Sequence, residues 1–406
     1  MIAPSPQNAR LYLLFWMLLL AVKAACFGID YPGRSETIPA GYFGLHIHHA
    51  ANIAWPNVPF VGWRLWDAGV AWAQLEPERD KWDFSLLDRY VALANLHRVH
   101  IVLVLGLTPK WASSRPSERS AYQEGNAAQP HNLEDWKNYV EVVARRYKGK
   151  IEAYEIWNEP NTTATYTGTT GSILQLARIA YGVLKSVDPA IIVASPSANA
   201  DTGIGWLKSF LSKGGCTYAD VIAYHFYVTP YAPEEMVPLI GRVKSVLQAA
   251  QCNKPLWNTE TGWTKPKQFG STEEAAGYLM RSMLLNWMSG VDRFYWYAWD
   301  NHNWCTLELT DPNKNQPVVT ASAYTTIEQW LTGATLRSCK SDSAGLWMCE
   351  ISNGGSKSWI AWSTPGPALL SVSKNLHVTS VLNWQNQSSP AGVKIPVSVA
   401  PIRLVP

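Results

Sequence analysis

The sequence predicts an α/β protein, a (β/α)8 barrel of the TIM type that is followed by a small β-sandwich-like domain. Eight short and almost continuously apolar runs alternate with amphipathic stretches of helical period, as expected for parallel strands that are covered on both faces. After Gly333 the helical period ends, and Gly, Ser, Pro and Val prevail to Pro406. A chain of 406 residues is long enough for a barrel with an accessory domain.

Eight strand–helix units favour a closed barrel over an open sheet. Between His49 and Val61 there is room for little more than a turn or two, and Trp55 and Pro56 interrupt the segment, so we expect the first helix to be short or irregular. The predicted strands, in chain order, are "YFGLHIH", "VGWRLW", "IVLVLG", "IEAYEIWN", "IIVASPS", "DVIAYHFY", "PLWNTE" and "RFYWYAW".

Several helices carry recognisable ends. The stretch Ser85–Asp88 resembles a capping box at the start of one helix. Ser271 and Glu274 form the same pattern at the start of another, which we expect to end at Gly290.

The chain divides into three predicted parts: a signal peptide or N-terminal anchor at 1–25, the barrel at 26–330 and a β-rich domain at 331–406. The apolar run Leu11–Val22 is shorter than the roughly 20 residues that a membrane-spanning helix needs, which favours a cleaved signal peptide. We therefore expect a periplasmic or secreted protein, with an inner-membrane anchor that faces the periplasm as the alternative. The C-terminal domain is expected to recruit a strand from 28–40.

Six cysteines fit an exported protein in which disulfides form. One predicted pair lies close in sequence and the other precedes two neighbouring strands, and their spacing does not resemble a metal site. The predicted disulfides are Cys339–Cys349 and Cys216–Cys252, while Cys26 and Cys305 stay unassigned.

Charge and aromatic content restrict the partner. The net charge is only +3, and no basic stripe is present, so nucleic acid is excluded as the expected ligand. The chain has 21 Trp and 18 Tyr against 9 Phe. Indole and phenol rings combine an apolar face with a polar group and suit sugars, although most of these rings must serve core packing.

Polar residues end three of the predicted strands, at the end of a barrel where active sites form. The fourth strand ends in Asn158 and Glu159, the sixth carries His225 and Tyr227, and the seventh ends in Glu260. The two glutamates should face one cup, where one carboxyl group could donate a proton and the other attack an anomeric carbon or activate water. Asn158 could contact a sugar 2-hydroxyl, and His225 and Tyr227 could hydrogen-bond Glu260. The alternative for either glutamate is a salt bridge at the rim.

The stretches "YEIWNEPN" and "PLWNTETGW" resemble the retaining glycosidases of the Asn-Glu-Pro barrel clan, and glycoside hydrolase family 39 is the closest match. The resemblance covers about 42–305, and its longer run looks like the Psl-type branch that acts on bacterial exopolysaccharides. That run comprises "WDAGVAWAQLEPERDKWDF", "LGLTPKWAS", "RYKGKIEAYEIWNEPN", "DVIAYHFYVTP" and "KPLWNTETGW".

The resemblance implies roles at matched positions. Glu159 looks like the general acid/base, Glu260 like the nucleophile, and Arg64 like a basic residue that braces the nucleophile. Trp296 or Trp299 matches a tryptophan beneath the bound sugar. The matched supporting positions are Asn158, His225 and Tyr227.

The implied activity is retaining hydrolysis of a bacterial exopolysaccharide by two carboxylates, and the abundant Trp favours a groove and endo action. The alternatives are an exo-acting β-glycosidase such as a β-xylosidase and a non-catalytic glycan-binding barrel. No metal or organic cofactor is expected. We expect a monomer whose partner is a polysaccharide or oligosaccharide, with membrane association only through the N-terminal segment.

Three further groups of residues have two interpretations. His46 and His48 on the first strand, with His225 and Asp300, resemble a metal-dependent amidohydrolase, but the fourth strand lacks a bridging lysine and the fifth has no histidine. We expect instead that one of the pair, taken as His48, lines the sugar pocket and that the other packs outward. Asp67 is a candidate for sugar contact or a strand-end salt bridge, and Glu155 is read as a buried support.

Overall fold

A computed structural model describes residues 28–301, 303–311, 316–372 and 374–406. Nine parallel strand segments form one sheet. At its two ends lie Ile192–Ala194, within the predicted fifth strand, and Ala198–Asn199, which directly follows that predicted strand. A parallel bridge between Ala194 and Val221 connects these ends, so the sheet curls into an α/β barrel of the TIM type. The predicted signal peptide and Cys26 lie outside the described residues.

All eight predicted strands are present. Each of the other strands pairs in parallel with the strands that precede and follow it in the chain. The order of strands around the barrel is therefore the order in the sequence. In chain order the barrel strands are Phe43–His46, Gly62–Leu65, His100–Leu105, Ala153–Ile156, the two-part fifth strand, Ile222–His225, Leu256–Thr261 and Arg293–Trp296.

Helices follow every strand except the first. Residues 47–61, all of them described, contain no helix, so the first helix, which was expected to be short or irregular, is not formed at all. None of the helices in the described ranges is long and apolar enough to cross a lipid bilayer. The helices are α1 (Trp72–Leu75), α2 (Ser85–His97), α3 (Leu133–Arg146), α4 (Thr170–Val187), α5 (Gly203–Ser212), α6 (Met236–Ala249), α7 (Thr272–Met288) and α8 (Val319–Leu331).

Helix α2 begins at Ser85, but the capping box predicted there is not formed. Ser85 lies inside α2, and the oxygen that satisfies its backbone N–H is the carboxylate of Asp83, at 3.0 Å. The pattern misled because an aspartate two residues earlier competes for the same donor. Ser271 caps α7 as predicted, since its hydroxyl oxygen accepts from the N–H of Glu274 at 3.1 Å.

Tyr295 of the eighth strand fills the floor of the barrel. A Cβ atom at Gly44 or Gly62 would lie 2.3 or 2.7 Å from its ring, so only glycine fits on the two facing strands. Because alternate residues of a strand share a face, Tyr297 points to the same side as Tyr295 and Trp296 to the opposite side.

The C-terminal residues form two antiparallel sheets. The N-terminal strand Ile29–Pro32 pairs with Thr335–Ser341, so a segment of 28–40 is recruited as expected. The second sheet pairs Ala368–Ser371 with Lys394–Val397, and both of its strands pack against the larger sheet. The sandwich and the domain boundaries stay predictions. The larger sheet has the order Ile29–Pro32, Thr335–Ser341, Leu346–Asn353, Ser356–Ser363, Ile402–Val405, Ser380–Leu382, Ser388–Pro390.

Helix α7 connects the barrel to the C-terminal sheets and is buried from Ala275 to its end. A Cβ atom at Gly277 would lie 2.3 Å from the carbonyl oxygen of Val399, so the C-terminal chain rests directly on the helix. The carboxylate of Glu234 adds a polar contact, since it accepts from Arg281 at 2.9 Å and from the indole N–H of Trp362 at 2.8 Å.

Both predicted disulfides are formed. Cys216 is bonded to Cys252, which ties the loop before the sixth strand to the loop before the seventh, and Cys339 is bonded to Cys349 across two adjacent antiparallel strands. Cys305 is a buried free thiol.

Candidate active site

The fourth strand ends in a tight left-handed turn. Trp157 has φ 66° and Glu159 has φ 46°, a region that non-glycine residues rarely occupy. The N–H of Glu159 donates to the carbonyl of Ser197 at 2.8 Å, which fixes the turn against the fifth strand. Such backbone strain concentrates at functional sites because the surrounding fold must hold it in place.

The turn brings Glu159 close to Glu260 at the end of the seventh strand. One carboxylate oxygen of each residue lies within 4.8 Å of the other, and both lie within that distance of a ring nitrogen of His225. The side chain of Glu159 is 12% exposed and that of Glu260 is 6% exposed. The barrel therefore unites at one opening two carboxylates that are separated by a hundred residues of sequence.

Arg64, on the second strand and fully buried, organises the floor beneath these carboxylates. Its Nη1 donates to Glu260 at 2.8 Å, and its Nε and Nη2 donate to both oxygens of Glu155 at 2.9 and 2.6 Å. Nη2 also donates to the amide oxygen of Asn158 at 2.8 Å. Arg64 thus contacts the predicted nucleophile, and Glu155 is the buried partner that holds the guanidinium.

His225 and Tyr227 contact different glutamates. The hydroxyl of Tyr227 donates to Glu260 at 3.0 Å, as expected, and burial beside that carboxylate raises the pKa of the phenol, so it remains a donor. The expectation that His225 binds Glu260 is wrong. Its Nδ1 lies 2.8 Å from Glu159 and 4.0 Å from Glu260, because the turn at the fourth strand places Glu159 nearer to the sixth strand.

The two carboxyl groups are held differently. Burial raises the pKa of Glu260 to about 7, against the lowering effect of His225 and Arg64. Burial also acts to raise the pKa of Glu159, but the hydrogen bond and charge of His225 outweigh it, and the pKa lies below its ordinary value. Because the groups are so close, their protons belong to the pair, which keeps one proton up to about pH 7.

The histidines of the first strand do not take the places predicted for them. Neither packs outward, since both rings lie 5.0 Å from the ring of Tyr297. His46 is bonded through Nε2 to the carbonyl of Thr259 at 3.0 Å. His48 is 5% exposed and lies 3.5 Å from Asp300, and no hydrogen bond connects it to either catalytic glutamate in the described structure.

The residues that resemble an amidohydrolase metal site (His46, His48, His225 and Asp300) do not converge on one point in the described structure. Within the described ranges, the one group of three residues with converging metal-ligand atoms is Glu159, His225 and Glu260, which includes both candidate catalytic acids. Asp300 instead accepts hydrogen bonds from the backbone N–H groups of His48 and His49. The first and eighth strands are thereby joined by a structural contact.

Both tryptophans that were predicted to lie beneath the sugar are buried. Trp296 has no exposed surface and packs against Trp263 on the outer side of the barrel, and Trp299 is 2% exposed. Strand parity places Tyr297, rather than Trp296, on the inner side of the barrel. The sequence could not fix this parity, because the eighth strand is apolar and aromatic on both faces.

Sequence reasoning also missed the aromatic residues around the opening. In the described part of the chain, three aromatic side chains are among the exposed large hydrophobic residues: Tyr122, Tyr231 and Trp304, at 38, 66 and 52%. They follow the third, sixth and eighth strands, and therefore all lie at the catalytic end of the barrel. The ring of Trp304 lies 6.4 Å from that of Tyr297. No local sequence signal distinguishes these rings from core aromatics.

A TIM barrel with two facing glutamates at its carboxyl end has the arrangement that glycoside hydrolysis requires. The chain belongs to glycosyl hydrolases family 39, because the model of that family matches residues 50–291, more than half of the chain. The protein is therefore a glycoside hydrolase that acts on a carbohydrate substrate.

Solved structures share the fold at low identity. A family 39 glycoside hydrolase from Bacteroides cellulosilyticus WH2 is 19% identical with a TM-score of 0.74, over 91% of this chain and 82% of that one. A glucosidase from Croceicoccus marinus is 15% identical with a TM-score of 0.62, over 92% and 85%. A family 30 subfamily 8 xylanase from Clostridium acetobutylicum is 13% identical with a TM-score of 0.64, over 94% and 97%.

Proposed function

We propose that the protein is a retaining glycosidase with Glu260 as the nucleophile and Glu159 as the general acid/base. One observation carries this assignment: an oxygen of each carboxylate lies within 4.8 Å of the other. Retaining enzymes hold their carboxyl groups about 5–5.5 Å apart, whereas inverting enzymes need about 6.5–9.5 Å to admit a water molecule.

The contacts of each glutamate support its role. Glu260 accepts hydrogen bonds from Arg64 and Tyr227, which aim its oxygens and favour the charged form that attacks the anomeric carbon. Glu159 donates its proton to the leaving glycosidic oxygen, and a glycosyl ester forms on Glu260. Glu159 then takes a proton from water, which attacks the same carbon and releases Glu260. Asn158, held by Arg64, is placed to contact the sugar 2-hydroxyl.

The proposed substrate is a bacterial exopolysaccharide that is cleaved within the chain. The resemblance of the sequence to the exopolysaccharide branch supports the substrate class. The exposed rings of Tyr122, Tyr231 and Trp304 on three separate loops support endo action, because they offer stacking surfaces beyond a single sugar. Export to the periplasm or medium is part of the proposal and is supported by the two disulfides.

Trapping of the intermediate tests the mechanism. A 2-fluoro glycoside of a cleaved sugar should add one glycosyl mass to a peptide that contains Glu260. Glu159→Ala should lose at least about 100-fold in turnover and regain part of it with azide, which replaces the missing base with an external nucleophile. Glu350→Gln, in the C-terminal sheet, is the control and should behave as wild type. Labelling of any other carboxylate contradicts the assignment.

A panel of exopolysaccharides tests the substrate and the cleavage mode together. Mass spectrometry should show a ladder of oligosaccharides with endo action and mainly monosaccharide with exo action. Glu159→Gln should still bind the glycan that wild type cleaves. If wild type binds a glycan of the panel and cleaves none, the non-catalytic alternative replaces the proposal.

A further inference from the structure

Asp67 is an exposed carboxylate at the rim of the catalytic opening, just beyond the second strand. Two phenols from different loops hold it: the hydroxyl of Tyr122 donates to Oδ1 and that of Tyr297 donates to Oδ2, each at 2.7 Å. Tyr122 follows the third strand and Tyr297 ends the eighth. Two segments that are distant in sequence therefore converge on this one side chain.

The arrangement leaves Asp67 able to accept more hydrogen bonds. A carboxylate oxygen has two acceptor positions, and each oxygen of Asp67 receives one phenol. No salt bridge to Asp67 occurs within the described residues, so the strand-end salt bridge considered from the sequence is not formed. Burial and the nearby carboxylate raise the pKa values of both phenols, which keeps them protonated as donors.

Asp67 is also close to the catalytic pair. Its charge contributes to raising the pKa of Glu260, and the charges of Glu260 and Glu159 contribute to that of Tyr122. Beside Asp67 lies a cavity of 190 Å³, whose wall includes Trp66, Leu107 and Tyr122. An apolar wall next to a fixed acceptor is the combination that binds the C–H face and the hydroxyl edge of a sugar.

We propose that Asp67 forms a sugar subsite beside the catalytic glutamates and accepts hydrogen bonds from two hydroxyl groups of one sugar unit. The proposal rests on the proposed glycosidase function and makes Asp67 a specificity-determining residue. Tyr122 and Tyr297 are positioning residues that fix the direction of both carboxylate oxygens. Asp67 is exposed but has φ 56°, which asparagine tolerates better than alanine, so Asp67→Asn is the variant that disturbs the backbone least.

The test uses the oligosaccharide that wild type cleaves and versions of it that each lack one hydroxyl group. Asp67→Ala should lower kcat/KM for the complete substrate by about 100-fold, and Asp67→Asn, which keeps one acceptor oxygen, by about 10-fold. Tyr122→Phe should mainly raise KM. Asp30→Asn, an exposed aspartate on the strand that joins the C-terminal sheet, is the matched control and should match wild type.

The deoxygenated substrates separate binding from a merely structural role. For substrates that lack a hydroxyl bound by Asp67, wild type should lose rate and the difference between wild type and Asp67→Ala should nearly vanish. Equal losses by Asp67→Ala on every substrate, or no loss on any, overturn the subsite while the glycosidase function stands. If wild type cleaves no glycan of the panel, the proposed function and this inference both fail.

Discussion

Removal of Arg64 should separate the stability of the site from its activity. Arg64→Met deletes the four hydrogen bonds to Glu155, Asn158 and Glu260 while keeping an unbranched apolar side chain. Glu155 has no exposed surface and would lose its cation. Breaking a buried ion pair on one side lowers the free energy of unfolding by about 3–5 kcal/mol.

The double variant Arg64→Met/Glu155→Gln is the matched control. It removes the unpaired charge of Glu155 and should recover at least about 1 kcal/mol of the free energy of unfolding. Activity should not recover, because Glu260 still lacks the hydrogen bond from Arg64. We expect a loss of about 100-fold in kcat/KM for both variants, since Glu260 is no longer held in position.

Urea denaturation at pH 7 measures the first effect, and kcat/KM against pH measures the second. Arg64 lowers the pKa of Glu260, so its removal should move the decline of kcat/KM at high pH further upward. The reasoning is refuted if Arg64→Met unfolds within about 1 kcal/mol of wild type, or if the double variant regains the rate.

Three other measurements test the structure. In wild type, kcat/KM should fall about tenfold per pH unit above about 7, where the pair of glutamates loses its one remaining proton and with it the acid that protonates the leaving group; a rate that still rises at pH 8 contradicts this. Replacement of Cys216 and Cys252 by alanine removes a disulfide that joins residues 36 positions apart, and it should lower the free energy of unfolding by about 3–4 kcal/mol. Urea unfolding in oxidising buffer measures this loss. Gly277→Ala should destabilise the protein in thermal unfolding, although alanine favours helices, because its Cβ meets the carbonyl of Val399; Gly241→Ala, in open space on α6, is the control.

The order of elements was accessible from local patterns. Apolar runs of strand length alternate with helical periods, and that alternation is a property of neighbouring residues. An irregular first connection was predicted from its length, since 47–61 is too short for a full crossover, although the complete absence of a helix there was not predicted. Both disulfides were predicted because each pair adjoins strands that the barrel or a hairpin makes neighbours.

The wrong predictions concern residues for which two hydrogen-bond partners compete. Ser85 matched a capping pattern, but Asp83 lies closer to the same donor. His225 was assigned to Glu260 because both end neighbouring strands, whereas the left-handed turn at Glu159 moves that carboxylate to the histidine. The backbone conformation of a single turn is not encoded in a strand pattern.

The sequence by itself determined the barrel, the two glutamates and the strands that carry them, because strand ends and polar residues are local features. The tertiary structure alone decided the direction of each side chain at the opening: Tyr297 rather than Trp296, and Asp67 between two phenols. These contacts join residues of different strands, and their geometry depends on barrel curvature and strand parity. Both are set by packing, such as that of Tyr295 against Gly44, and not by any single segment.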